Sequence, residues 1–321
     1  MRTRLTELLG IRLPIVQGGL AYLADAGLAA AVSNAGGLGQ ITAASFPEAA
    51  ELRREIQRAR AATARPFGIN FALGHWDWSR HLEVALEEDV AAVTVTGGNP
   101  EPLFERLTGS PIKKLVLVAG VRQAQKAEAL GADAVIAVGY EGGGHLGRDD
   151  IGTLVLVPRI VDSVRLPVLA SGGIGDGRGL AAALTLGAEG IEMGTRFVAT
   201  RECVAHAAYK EAVTQARETD TVIIERSLGR PGRALRSSFT EDILRREGEG
   251  AALEDLLPFI GGEANQRAAL AGQLSEGFAW AGQVVGLIGD VPTVADLLAR
   301  LEAEAESALG RLGRALENGA T

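Results

Sequence analysis

Cysteine and lysine are almost absent from this chain of 321 residues. Cys203 is the only cysteine, so no intrachain disulfide can form, and a reducing compartment is expected. Lysine occurs only at Lys113, Lys114, Lys126 and Lys210, which leaves few candidates for Schiff-base chemistry or a lysine general base. No apolar run approaches the length of a membrane span, and no cationic start leads into an apolar export segment. No HExxH, CxxC or paired-carboxylate pattern calls for a metal. The net charge of -8 and a pI near 5.2 argue against nucleic acid as the main partner. These absences together predict a cytoplasmic protein that acts on small molecules, with no membrane or nucleic-acid partner.

What is present is a large core and a regular rhythm. Apolar residues make up 47% of the chain and charged residues 22%, which excludes disorder. From residue 14 to about 197, short apolar runs alternate with amphipathic stretches. Strands are predicted at Pro14 to Gln17, Leu38 to Thr42, Phe67 to Ala72, Ala91 to Thr96, Lys114 to Ala119, Ala134 to Val138, Pro167 to Ala170 and Gly190 to Met193. The runs are near-continuously apolar, the mark of strands buried on both faces. Eight such strand–helix units predict an α/β fold, a (β/α)8 TIM barrel. A doubly wound sheet accounts for them less well, since no GxGxxG follows the first strand. Residues 205–290, rich in Arg, Glu and Gly and without clear strands, read as a mostly helical cap over the barrel mouth. The barrel is then 1–204 plus 291–321, closed by a long amphipathic helix from Val294 to Glu317.

The chemistry concentrates where strands end in glycine. Gly139-Tyr140-Glu141-Gly142-Gly143-Gly144-His145-Leu146-Gly147 follows the sixth strand and sets one histidine among five glycines. Glycine lets backbone approach a ligand closely, and an imidazole can take or give a proton near neutral pH. Ser171-Gly172-Gly173 and Met193-Gly194-Thr195 follow strands seven and eight, where this barrel class often holds a phosphate. The amides of Gly172, Gly173, Gly194 and Thr195, with the Thr195 hydroxyl, can donate to it. Asp176 reads as the N-cap of the next helix. Gln17 with Gly18 and Gly19 after the first strand, and Asn70 on the third, offer donor–acceptor amides and close approach. Both suit the edge of an isoalloxazine ring.

These segments resemble a known family. Pro14 to Gly19, Asn34 to Gly39, Pro66 to Asn70, Gly143 to Gly147, Ser171 to Gly173 and Met193 to Phe197 recur in this order in the nitronate monooxygenases, formerly called 2-nitropropane dioxygenases. The resemblance runs from about residue 3 to about residue 290. Flavin-dependent enoyl-acyl-carrier-protein reductases and a set of NADH:quinone reductases share the framework. All imply an FMN-bound TIM barrel with a helical cap. Thr195 to Cys203 and Asp149-Asp150-Ile151 look more like the monooxygenase and quinone-reductase branch, whereas Thr3 to Leu9 and Ala281-Gly282-Gln283 look equally like the enoyl reductases. Some members carry a lysine at the end of strand five; here that strand runs Leu115 to Gly120 with none.

By resemblance His145 is the catalytic residue beside FMN, with Gly143 and Gly144 near the cofactor. A neutral imidazole can abstract a proton from carbon next to a nitro group, and oxidation with O2 then gives a carbonyl compound and nitrite. The alternative is an NAD(P)H-dependent reductase of quinones or enoyl thioesters, in which His145 positions or protonates the acceptor. Two readings stand for Arg226, Arg230 and Arg233: a solvated face, or a patch that attracts an anionic substrate. His75, in Gly74 to Trp78, either lines the substrate pocket or belongs to a packed loop. His81 and His206 are expected at the surface of helices, and Cys203 as a small buried side chain. A homodimer through the cap or the C-terminal helix is compatible with the sequence.

Overall fold

The computed structural model describes residues 1–318 apart from His75, so the pocket-lining reading of His75 lies outside the described residues. Eleven strands are assigned in chain order: β1 Ile15–Gln17, β2 Gly39–Thr42, β3 Phe67–Ala72, β4 Ala92–Thr96, β5 Lys113–Val118, β6 Ala134–Val138, β7 Gly144–His145, β8 Val168–Ser171, β9 Gly190–Met193, β10 Thr221–Ile224 and β11 Gly232–Leu235. Eight of them form one parallel sheet in the order β1-β9-β8-β6-β5-β4-β3-β2. The sheet closes on itself: Val16 bridges Leu38 in parallel, and Gln17 N–H donates to the Leu38 carbonyl at 2.9 Å. The molecule is therefore a TIM barrel, with its helices packed on the outward strand faces.

The inward faces are layered by the two-residue period of the strands. The lower layer is apolar: Val16, Leu38, Ala92, Leu115, Ala134, Ile136 and Leu169 are buried there with Leu5 and Leu9. Those two leucines belong to the N-terminal helix Arg4–Leu9, which plugs the barrel floor. Two residues further along their strands, Gln40, Thr94, Ser171 and Glu192 are buried as well. The barrel thus turns polar toward its C-terminal strand ends.

The C-terminal helix Val294–Asn318 seals the outside of the helix Gly177–Thr185, whose N-cap is Asp176 as expected. Contact there is backbone to backbone. A Cβ on Gly177 would lie 2.4 Å from the Leu301 carbonyl oxygen. Among the described residues, no helix is long and apolar enough to cross a membrane.

The segment between the last barrel strand and this helix contains four helices of eight or more residues, Ala207–Gln215, Ser238–Gly248, Leu253–Ile260 and Gly262–Ala269. It also contains strands that the sequence does not announce. β10 and β11 form an antiparallel hairpin, and β11 pairs with β7, so that Gly232 opposes His145 and Arg233 opposes Gly144. Arg233 is buried. Its guanidinium donates to the Tyr140 carbonyl at 2.9 Å and to Thr221 Oγ1 at 3.2 Å, and lies over the Tyr140 ring. It is a fastener, not a solvated or substrate-attracting charge.

Gly177→Ala is expected to destabilise the protein by about 1–3 kcal/mol, because the added methyl must push apart packed backbone; urea unfolding measures it. Arg233→Met should cost about 1–3 kcal/mol by leaving the Tyr140 carbonyl unpaired. It should also raise amide hydrogen exchange in residues 139–147 and 221–235 before the barrel strands exchange.

Candidate active site

A cleft opens where the barrel strands end, under the insertion. It contains about 960 Å³ of space between atoms, partly open to solvent, and its walls include Gly18, Gly19, Ser171, Gly172, Gly173, Glu192, Gly194 and Thr195. The loop after β6 supplies Glu141 to His145, and the insertion adds Tyr209, Asn265, Trp280 and Gly282.

The glycines at this rim have separate reasons. Gly172 and Gly173 hold φ of +92° and +75°, in the left-handed region where a side chain is strained. Among the described residues, no backbone acceptor meets the N–H of Gly172, Gly173 or Gly194, so these amides stand available at the strand ends. Gly143 serves packing, since a Cβ there would lie 2.6 Å from the Gly282 nitrogen. Gly144 has open space on its Cβ side and pairs with Arg233. Thr195 Oγ1 accepts from the Gly282 N–H at 3.0 Å, which ties the insertion to the rim and leaves the hydroxyl proton free to donate.

The two amides singled out from the sequence sit differently. Gln17 is fully buried and is not among the residues lining the cleft. Its Oε1 accepts from the Gln40 N–H at 2.9 Å, and its Nε2 donates to the Gly18 carbonyl. Gln17 therefore joins β1 to β2 beneath the site and does not line it. Asn70 lies directly under the rim. Its amide nitrogen donates to the Thr94 carbonyl, and its side chain fills the place a Cβ on Gly19 would take, 2.3 Å from Oδ1.

His145 lies on the insertion side of the cleft. Its pairing with β11 removes the looseness that a glycine-rich loop implies. The side chain remains 60% exposed, with Nε2 3.6 Å from Glu225 Oε1 and its ring centroid 5.1 Å from that of Trp280. Glu225 is itself buried and bonded to Arg230 Nη2 at 2.8 Å. It sits at φ +62°, a conformation that costs a non-glycine residue of order 1–3 kcal/mol and is found most often at functional sites. Arg230 is thus committed to Glu225, and Arg226 to Asp150.

Glu192, Asn265 and Trp280 are among the cleft residues that sequence reasoning did not select. Glu192 is buried on β9, its Oε2 accepts from Ser171 Oγ at 2.9 Å, and its Oε1 has no protein partner. Burial raises its pKa to about 7, with the Ser171 hydrogen bond pulling the other way. The sequence carried a signal for it: a lone charge inside the apolar run Gly190 to Met193. Asn265 Oδ1 is likewise buried and unpartnered, and Trp280 packs on His145; no motif marks either. Elsewhere, His81 is buried with Nε2 2.8 Å from the Phe46 carbonyl, against the expected surface position. It closes a helix onto a loop. His206 caps the helix Ala207–Gln215 by accepting from the Ala208 N–H. Cys203 is buried, and burial pushes its thiol up to about 11, which leaves it unreactive.

Comparison with known proteins agrees with this geometry. The family model described as nitronate monooxygenase matches residues 2–77 and 73–304. A Mycobacterium tuberculosis protein named (3aS,4S,5R,7aS)-5-hydroxy-7a-methyl-1-oxo-octahydro-1H-indene-4-carboxyl-CoA dehydrogenase is 38% identical over 79% of this chain and 73% of its own length. The solved structure of FabK from Thermotoga maritima superposes with a TM-score of 0.90 at 40% identity, covering 97% of this chain and 98% of that one. Nitroalkane oxidase from Streptomyces ansochromogenes superposes with a TM-score of 0.83 at 31% identity, covering 96% and 99%. The chain belongs to the nitronate monooxygenase family and is an oxidoreductase of that type.

Proposed function

We propose that this protein is an FMN-dependent enzyme that oxidises alkyl nitronates with O2 to a carbonyl compound and nitrite. The observation that carries the reading is that His145 and the glycine-lined ends of β1, β8 and β9 surround one cleft. The residues fit the cofactor. Gly172, Gly173 and Gly194 offer amides without a backbone acceptor, and Glu192 Oε1 and Asn265 Oδ1 are buried polar atoms that lack protein partners; such atoms are rare unless a ligand or water meets them. On this reading residues 1–204 with 291–321 hold the flavin and residues 205–290 cover it.

FMN, when bound, would supply the redox chemistry, accepting electrons from the substrate and passing them to O2. The chain supplies the rest. The amides of Gly172, Gly173 and Gly194 and the hydroxyl of Thr195 hold the phosphate, and Gly18 and Gly19 admit a flat ring to the rim. When the substrate arrives as the neutral nitroalkane, His145 Nε2 takes the proton from carbon next to the nitro group and so forms the nitronate, and the Glu225 carboxylate, 3.6 Å away, stabilises the resulting imidazolium. Trp280 gives that side of the cleft an apolar wall and limits water. General-base help of this kind is worth roughly 10²–10⁴-fold.

The likeness to a CoA dehydrogenase and to FabK supports a second reading, an NAD(P)H-dependent reductase of quinones or enoyl thioesters. His145 would there deliver a proton to the acceptor.

Anaerobic mixing of the FMN-loaded protein separates the two. Rapid bleaching of the flavin absorbance by an alkyl nitronate, with NADH and NADPH slow, supports the oxidase; the reverse order replaces it with the reductase. His145→Ala should lower kcat/KM on nitroalkanes by roughly 10²–10⁴-fold while FMN remains bound. Unchanged activity would remove His145 from the chemistry.

A further inference from the structure

Glu192 has no counterpart in the chemistry just described, and its position is unusual for an acid. It is 4% exposed, in the barrel's inward polar layer, between β1 and β8. The Gly18 backbone lies over it, so that a Cβ there would meet the Glu192 Cδ at 3.2 Å. One oxygen accepts from Ser171 Oγ at 2.9 Å. The other, Oε1, has no protein partner although the residue lines the cleft. Its strand neighbours Ile15–Gln17 and Val168–Ser171 contain no ionisable side chain. The ionisable groups in the same walls are engaged elsewhere: Glu141 with Thr153, Tyr209 with the Trp280 carbonyl, and His145 with Glu225.

A buried carboxyl without a cation favours the neutral acid, because the charged form has lost water and has only the Ser171 hydrogen bond in exchange. The acid also answers the geometry. Oε2 accepts from Ser171, and a hydroxyl on Oε1 becomes a donor in the wall of the cleft, just beneath Gly18.

We propose that Glu192 is the proton-carrying residue of the cofactor site: it donates a hydrogen bond to bound FMN as the neutral acid, so that cofactor binding is coupled to uptake of one proton. The proposal rests on the FMN reading above. Burial, against the opposing Ser171 hydrogen bond, already raises the pKa to about 7, and an acceptor atom or a phosphate placed beside it raises this further. The sign follows by linkage. Below about pH 7 the acid is already protonated and affinity is insensitive to it. Above that, each binding event must first protonate Glu192, and the dissociation constant of FMN climbs toward about tenfold per pH unit.

Fluorescence titration of apoprotein with FMN between about pH 6 and pH 9 tests this. The wild type should hold a constant affinity up to about pH 7 and weaken beyond it. Glu192→Gln, a permanently neutral donor of the same shape, should bind with the wild type's low-pH affinity and show no weakening between about pH 7 and pH 9. The comparison cancels the ionisation of the FMN phosphate itself, which is common to both. Calorimetry in buffers of different ionisation enthalpy gives a second readout on the unaltered protein: uptake approaching one proton per FMN at about pH 8. Flavin binding with a pH-independent dissociation constant and no proton uptake overturns the proposal and leaves the FMN reading intact. A Gln variant that keeps the wild-type slope overturns it too. Absence of flavin binding at every pH overturns the FMN reading itself.

Discussion

Side chains of a barrel strand point inward at every second residue, and an interior this narrow must be filled or dry. The inward positions below are filled by aliphatic residues and by Leu5 and Leu9 of the floor helix. One step higher they become Gln40, Thr94, Ser171 and Glu192, all buried. Polar groups withdrawn from water need partners, and here some, such as Glu192 Oε1, have none within the protein. The change of layer over two residues therefore places unpartnered polar groups directly beneath the cleft. Above it, β1, β8 and β9 run directly into glycine, so that backbone forms that part of the rim.

The insertion completes the site by clamping the histidine loop. A run of five glycines would leave His145 without a fixed orientation. Pairing of β7 with β11, the buried Arg233 on the Tyr140 carbonyl, and Glu225 beside the imidazole each remove part of that freedom. The arginines of the segment work mainly inside the protein. The same contacts bring Trp280 and Asn265 to the cleft, so one docking event both orients His145 and closes the roof.

Much of this was legible in the sequence. The eight barrel strands stood out because burial on both faces makes them continuously apolar, and no expected limit differs from the observed one by more than a residue. His145 and the glycines after β8 and β9 were visible as a pattern at strand ends, and the structure brings them to one cleft, although Gly172 and Gly173 also answer to a positive φ. The hairpin was not. Gly232–Leu235 contains an arginine, and what makes it a strand is pairing with a loop almost ninety residues away, information no local pattern holds. Gln17 shows another limit. Its chemistry suited a ligand, yet a three-residue strand does not reveal from its letters which way the side chain turns, and the structure turns it toward Gln40. Glu192 was legible in principle as a charge within a buried run, but its meaning depends on Ser171 and on the absence of a neighbouring cation.

The central claim is that one cleft holds FMN between the glycine rim and His145. A crystal structure of the protein reconstituted with FMN tests it most directly. The account predicts the phosphate within hydrogen-bond reach of the amides of Gly172, Gly173 and Gly194, and the ring on the side of the cleft that His145 and Trp280 face. Flavin seated anywhere else, or a phosphate held away from those three amides, contradicts it.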